Sequence, residues 1–275
     1  FGGNTSCVEV QAGGQTLIFD TGTGVRLLGQ KLLRERAARG ERGPLSAAIF
    51  YSHVHWDHIQ GLPFFTPLFI PGAQLHFYGQ KGDMALRDVL ALQMSYPVFP
   101  VRLEDLASSL SYSELSDGAR VQLPGGAVVS CARLNHPNGV LAYRVDHGGR
   151  SVVYATDTEH YSCPDPKLVR LCQGADMLIY DAMYDDDEYA GRRGAPRTGW
   201  GHSTFTEGVR VADAAGVGQL ILFHHDPAHD DACVRAIETR AAALRPGTRA
   251  AREGQTLRLA CAAGTAAGSS EDVAA

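Results

Sequence analysis

His53-Val54-His55-Trp56-Asp57-His58 follows a short apolar run at residues 46–52 and leads into Ile59-Gln60-Gly61. On an extended strand, side chains two apart point the same way, so His53 and His55 present two imidazoles to one point. Asp57 and His58 follow where the strand turns into a helix, and four ligand-type side chains then converge on one small volume. That density exceeds what one four-coordinate zinc needs, because other candidates arrive from elsewhere in the chain. These are His136 after Arg133-Leu134-Asn135, Asp157 after Val152-Val153-Tyr154, and His224 after Leu220-Ile221-Leu222-Phe223. Each sits just past an apolar strand, and two metals become the natural reading.

Outward from this run, residues 6–11 and 16–19 are β-branched, apolar-rich stretches separated by Gly13-Gly14, which predicts a hairpin. Val25, Leu27, Leu28, Leu32 and Leu33 recur at helical spacing up to Gly40. A strand at 74–78 precedes a helix at 83–94, and strands are expected at 119–123, 127–134, 141–145 and 151–155. From Pro166 the order changes to helix, strand (177–180), helix (204–215), strand (219–223), helix (230–244) and a closing strand at 256–259. Two αβ halves follow, each with its own sheet, as a four-layer αββα sandwich with helices outside. Residues 1–261 read as one α/β domain and 262–275, small and polar, as a flexible tail. The chain enters Gly2-Gly3-Asn4 directly after Phe1, which points to an N-terminal strand cut short.

The chain has 275 residues, 44% hydrophobic and 20% charged, enough apolar material to offset ordering entropy in a sizeable core. Its formal charge of −5 provides no global positive field to gather tRNA or duplex DNA, while small anions can still be held locally by metals and a few arginines. The six cysteines form no C-x-x-C pair and read as reduced thiols. No stretch approaches the ~18 uninterrupted apolar residues of a membrane span, and no cleavable leader opens the chain. A cytoplasmic protein without membrane attachment is expected.

With these residues in hand, the chain resembles the metallo-β-lactamase superfamily and, within it, the ribonuclease Z-like phosphodiesterase branch. Beyond the histidine run, the matching pieces are Phe19-Asp20-Thr21-Gly22, His136, Tyr154-Ala155-Thr156-Asp157-Thr158, Gly201-His202-Ser203-Thr204 and Leu220-Ile221-Leu222-Phe223-His224. The resemblance implies the metallo-β-lactamase fold, with His53, His55 and His136 on one divalent metal, Asp57, His58 and His224 on the other, and Asp157 bridging. Asp57 thereby belongs to the catalytic group, and Asp20 would orient a ligand imidazole. Where the branch has a Glu in a His-Glu-Ala-Thr motif paired with the histidine of Gly-His-Ser-Thr, this chain has Tyr180-Asp181-Ala182-Met183, so Asp181 would pair with His202. The resemblance also implies a homodimer.

Phosphodiesters react reluctantly with neutral water. Two cations about 3.5 to 4 Å apart lower the pKa of a bound water to about 7 and clamp the oxygens around phosphorus. The leaving alkoxide needs a proton, which His202 held by Asp181 can supply as general acid. Lactams and lactones demand this acid less. A His-rich set with a bridging carboxylate suits Zn2+, with Mn2+ or Fe2+ also accommodated.

Ribonuclease Z grips tRNA with an inserted arm, and residues 136–157 are too few to hold one. The expected substrate is therefore a small anionic phosphodiester, and the general resemblance is to enzymes that cleave cyclic mononucleotides, including the anti-Pycsar phosphodiesterases. Tyr184, Arg197 and Trp200, in a loop at 184–200, could stack on a base and neutralise a phosphate. Asn4 and Ser6 could donate to one. The run Asp185-Asp186-Asp187-Glu188 reads as a solvated loop. Three alternatives stay open: a hydrolase of carbon esters or lactams, a ribonuclease Z-like nuclease, and a non-hydrolytic module that senses a nucleotide or a metal.

Overall fold

A computed structural model describes residues 1–259 and 271–274. The chain divides into two compact units, one of Asn4–Ser116 with Asp272–Ala275 and one of Phe1–Gly3 with Asp117–Glu271.

In the unit of Asn4–Ser116 the elements run β1 (Val8–Ala12), β2 (Gln15–Phe19), α1 (Gly24–Ala38), β3 (Ser46–Phe50), α2 (Trp56–Ile59), β4 (Gln74–Gln80), α3 (Leu86–Gln93) and β5 (Ser109–Leu115). Gly13 and Gly14, at φ 58° and 71°, give the β1–β2 hairpin the doubly left-handed turn that a two-residue loop requires. β2, β3, β4 and β5 then lie side by side and parallel, with Ile18 opposite Ile49 and Ile49 opposite Phe77. Parallel neighbours need crossovers, which α1 and the helical segments after β3 provide. Ile18, Ile49 and Phe77 pack with Val25, Leu28 and Leu32 of α1 and Leu90 of α3 in one buried cluster. Because β2 and β3 are parallel and in register up to Phe19 and Phe50, the residues after them leave the sheet side by side. Ligands in parallel sheets collect at such carboxyl ends.

Two loops touch here at glycines. A Cβ on Gly61 would fall onto the carbonyl oxygen of Gly22, and this is backbone that cannot swing aside. Gly61→Ala is expected to cost about 1–3 kcal/mol, the usual overpacking range, seen as a lower melting temperature.

The second unit comprises β6 (Arg120–Gln122), β7 (Val128–Leu134), β8 (Val140–His147), β9 (Arg150–Ala155), α4 (Pro166–Cys172), β10 (Met177–Asp181), α5 (Asp186–Tyr189), α6 (Phe205–Ala215), β11 (Gln219–Phe223), α7 (Asp231–Leu244), β12 (Arg249–Ala250) and β13 (Thr256–Leu259). Its sheet has the order β12-β11-β10-β9-β8-β7-β6. β6 to β9 form an antiparallel meander, and β9, β10, β11 and β12 are parallel. Leu178, Tyr180, Leu220 and Leu222 pack against Leu168 of α4, Val211 and Ala212 of α6, and Ile237 of α7. The helices start where their caps stand: Asp165, Thr204 and Asp230 each accept a backbone N–H of the first turn.

The α/β reading and nearly every expected element hold. β5 was not expected, because Ser-Leu-Ser-Tyr-Ser-Glu-Leu is serine-rich, and its pairing with β4 supplies what propensity does not. The acidic run is not a solvated loop. Asp185 is buried, caps α5 in a box with Glu188, and binds Arg193 and Arg240. Of the tail expected at 262–275, residues 262–270 and 275 lie outside the described residues, while β14 (Glu271–Ala274) pairs antiparallel with β1. Among the described residues no helix is long and apolar enough to cross a membrane.

Candidate metal centre

In the first unit the site begins with Asp20, fully buried directly after β2 and held at φ 60°. Left-handed backbone at a non-glycine residue costs of order 1–3 kcal/mol and persists only where its surroundings enforce it. Here the Asp20 N–H donates to the Phe50 carbonyl at 3.0 Å. The carboxylate accepts from the Ser52 N–H at 2.7 Å, the Ser52 hydroxyl at 2.7 Å and His58 Nδ1 at 2.9 Å. A carboxylate accepts only, so the His58 proton sits on Nδ1 and its lone pair on Nε2. That Nε2 lies 3.2 Å from Oδ2 of Asp57. A cation shared by the two groups, a proton on the ring or a divalent metal, makes so short a contact favourable, and the pair is of the kind that could hold a metal. His53 packs its ring on those of His58 and His55, with centroids 4.3 and 4.4 Å apart. Beside them Trp56 is 72% exposed on the first turn of α2.

In the second unit the carboxyl ends of β9, β10 and β11 line up through register, with Tyr154 and Ile221 both opposite Ile179. Asp157 follows β9, Asp181 ends β10 and His224 follows β11; Asp157 and His224 are left-handed at φ 51° and 57°. Asp157 Oδ1 stands 3.2 Å from His224 Nε2, and its Oδ2 3.9 Å from His136 Nε2. Thr156 donates its hydroxyl to Asp157 at 2.6 Å. His136 donates Nδ1–H to the Gly201 carbonyl at 2.7 Å, which puts its lone pair on Nε2, toward Asp157.

His202 Nδ1 lies 3.0 Å from Asp181 Oδ2 and 3.9 Å from Asp157. The shorter Asp181 therefore reaches the imidazole that a Glu would serve in the branch pattern. Ligand atoms of Asp157, Asp181, His202 and His224 lie within 4.8 Å of one another, close enough to hold a metal. Asp181, however, also accepts from the backbone N–H groups of Thr158 and Met183, at 3.1 Å each. Three donors already occupy it, which suits a carboxylate that orients His202 better than one that binds metal. Burial, then His224 and His229 beside it, pushes His225 down to about 4, so it is neutral at pH 7. His229 Nε2 meets Glu188 at 2.9 Å.

The expected substrate contacts need correction. Tyr184 is 2% exposed, with Arg197 over its ring, so it has no open face for a base. Trp200 is 54% exposed and carries Arg197 at 4.4 Å. Ser6 is buried with its carbonyl accepting from Gly22, and it does not face outward as an anion donor; Asn4 is exposed. Ser52 and Glu159 were not among the expected site residues, and Gly201 was expected only as part of the Gly-His-Ser-Thr motif. Ser52 and Gly201 had a signal, each standing directly before an expected histidine, and Glu159 had none.

The β-lactamase superfamily domain matches residues 15–225. The ribonuclease Z of Brevibacillus brevis is 38% identical, the match covering 79% of this chain and 78% of that one. That of Myxococcus xanthus is 26% identical over 82% and 83% of the two chains. The metallo-β-lactamase fold protein YhfI from Bacillus subtilis superposes with a TM-score of 0.66 at 21% identity, over 90% of this chain and 88% of that one. The chain belongs to the β-lactamase superfamily and has the metallo-β-lactamase fold, which makes it a metal-dependent hydrolase.

If Asp20 orients His58 for a metal, Asp20→Ala is expected to weaken metal retention by about 10–100-fold, the usual range for partners of ligand imidazoles. Competition with a chromogenic chelator measures this directly.

Proposed function

We propose that this protein is a two-metal phosphodiesterase of small phosphodiesters, cyclic mononucleotides foremost, and the observation that carries the reading is the Asp181–His202 pair at 3.0 Å beside Asp157. On the family's ligand pattern His53, His55 and His136 hold one metal, Asp57, His58 and His224 the other, and Asp157 bridges. Zinc suits these donors, with manganese or iron as alternatives. Bound metals would supply a hydroxide nucleophile at neutral pH and neutralise the phosphoryl oxygens.

The chain's own residues do the rest. Asp181 accepts the Nδ1–H of His202, fixes the ring and stabilises its charged form, so His202 gives a proton from Nε2 to the departing alkoxide. Arg197 and Trp200 offer a cation and an aromatic face to the phosphate and base.

A second reading is a ribonuclease Z-like nuclease, favoured by the relatives that carry that name. Against it stand the net charge of −5 and the span from His136 to Asp157, filled by β8 and β9. Cys7, Cys131, Cys163, Cys172 and Cys233 are free of disulfides, in keeping with a reducing cytoplasm as the working compartment. The homodimer rests on the resemblance alone.

The test is metal analysis of the purified protein with turnover of 3′,5′ and 2′,3′ cyclic nucleotides, a linear dinucleotide, an aryl phosphodiester, a precursor tRNA and a lactone. Cyclic nucleotides turned over well ahead of precursor tRNA support the proposal. A preference for the tRNA moves the function to the second reading, and turnover of the lactone alone overturns the phosphorus chemistry.

A further inference from the structure

Glu159 stands two residues after Asp157 and is buried, although it belongs to none of the motifs above. Its Oε1 accepts from the Tyr189 hydroxyl at 2.7 Å and the Gly199 N–H at 2.6 Å. Its Oε2 accepts from the Gly201 N–H at 2.9 Å. Its backbone is tied to the residue before His136, because Glu159 N–H donates to the Asn135 carbonyl at 2.8 Å and Asn135 Nδ2 donates to the Glu159 carbonyl at 3.2 Å.

Those partners form a chain of contacts in two directions. Toward the candidate metal centre, Gly201 donates its backbone N–H to Glu159 and accepts His136 Nδ1–H at its own carbonyl. Gly201 sits at φ +88°, and a Cβ there would fall onto His136 Nδ1, so backbone and imidazole are packed as closely as glycine allows. Toward the loop that carries the exposed aromatic, Arg197 N–H donates to the Tyr189 carbonyl at 3.0 Å and Trp200 N–H to the Arg197 carbonyl at 3.1 Å. The ring of Tyr189 also lies against His160, centroids 4.3 Å apart, and His160 Nδ1 meets the Ser203 hydroxyl at 3.0 Å.

We propose that Glu159 is a positioning residue that clamps residues 189–201 to the metal-binding face of its unit, fixing through Gly201 the ring of His136 and through Tyr189 and Gly199 the segment bearing Arg197 and Trp200. The proposal deepens the functional reading above, since it takes His136 as a metal ligand and Arg197 and Trp200 as substrate contacts. Glu159 acts through the partners of its carboxylate, Tyr189, Gly199 and Gly201. It couples the segment bearing Arg197 and Trp200 to the ring of His136, because one carboxylate accepts from Tyr189 and Gly199 in that segment and from Gly201, whose carbonyl accepts from His136.

The test uses the full chain with Glu159→Ala, Glu159→Gln and Tyr189→Phe, and two readouts that need no substrate. One is metal affinity by chelator competition; the other is the rate of tryptic cutting after Arg192, Arg193 and Arg197. Glu159→Ala is expected to lose about tenfold or more in metal affinity, as outer partners of ligand histidines do, and to be cut about tenfold faster, as local opening becomes easier. Tyr189→Phe, which removes one bond to the segment and leaves Gly201 held, is expected to speed cutting while metal affinity stays as in the wild type. Glu159→Gln sets an amide NH2 against one of the backbone donors and is expected to lie between the alanine variant and the wild type in both readouts. With an aryl phosphodiester, Tyr189→Phe is expected to raise KM more than it lowers kcat. If Glu159→Ala fails to fold, the other two variants carry the test. A folded Glu159→Gln with wild-type metal affinity and wild-type cutting overturns the proposal. A wrong substrate class would leave both readouts as predicted, so that failure is separate from this one.

Discussion

Asp157→Ala is expected to abolish turnover, with a fall of about 10³- to 10⁴-fold or more in kcat/KM, the several kcal/mol that metal ions contribute to a transition state of this kind. The reason is the position of this carboxylate. Its two oxygens face two different imidazoles, Oδ1 toward His224 at 3.2 Å and Oδ2 toward His136 at 3.9 Å, and Thr156 holds it in place. Its backbone is left-handed at φ 51°, which places the side chain where β9 leaves the sheet. Removing it should lower the metal content per chain as well as the rate. Elemental analysis checks the first and single-turnover assays the second. A variant that keeps two equivalents of metal and most of its rate would exclude Asp157 as the bridge.

His202→Ala is expected to lower kcat by about 10²- to 10⁴-fold on an alkyl phosphodiester, the range for loss of a positioned general acid. On an aryl phosphodiester with a good leaving group the loss should be small, since a phenolate departs without a proton. The sign of the pH effect follows from the same role. The acid works as imidazolium, so wild-type kcat should fall as pH rises through the pKa of His202, and the variant should lose that alkaline limb. Asp181→Asn should follow His202→Ala in both respects, because an amide cannot stabilise the charged ring at 3.0 Å as a carboxylate does. Equal losses on both substrates would instead place His202 in metal binding, where its 3.9 Å approach to Asp157 would then be put to use.

Much of the fold was legible before any coordinates. The parallel strands β3, β10 and β11 are short apolar runs, and α1 and α6 have their apolar residues at helical spacing. β5 was not legible, because a serine-rich edge strand has little propensity of its own and forms by pairing with β4. The role of Asp185 was hidden for a similar reason. Within the run it is one of four acids, and only its burial, the cap of α5 and the approach of Arg240 set it apart.

The candidate site divides along the same line. Ligand-type residues at strand ends are a local matter of residue chemistry and period-two geometry, so His53, His55, Asp57, His58, His136, Asp157 and His224 could be read from sequence alone. Which group holds which is not local. Asp20 meets His58 across 38 positions and Gly201 meets His136 across 65, and neither contact leaves a mark on the intervening residues. Strand register and left-handed corners bring them together, and with them the assignment of tautomers, the burial that denies Tyr184 an open face, and the central place of Glu159. The sequence by itself supplied the candidate ligand residues and, through its family resemblance, the class of chemistry. Only the tertiary structure decided how each donor is held, because hydrogen bonds between distant loops depend on the packing of whole sheets.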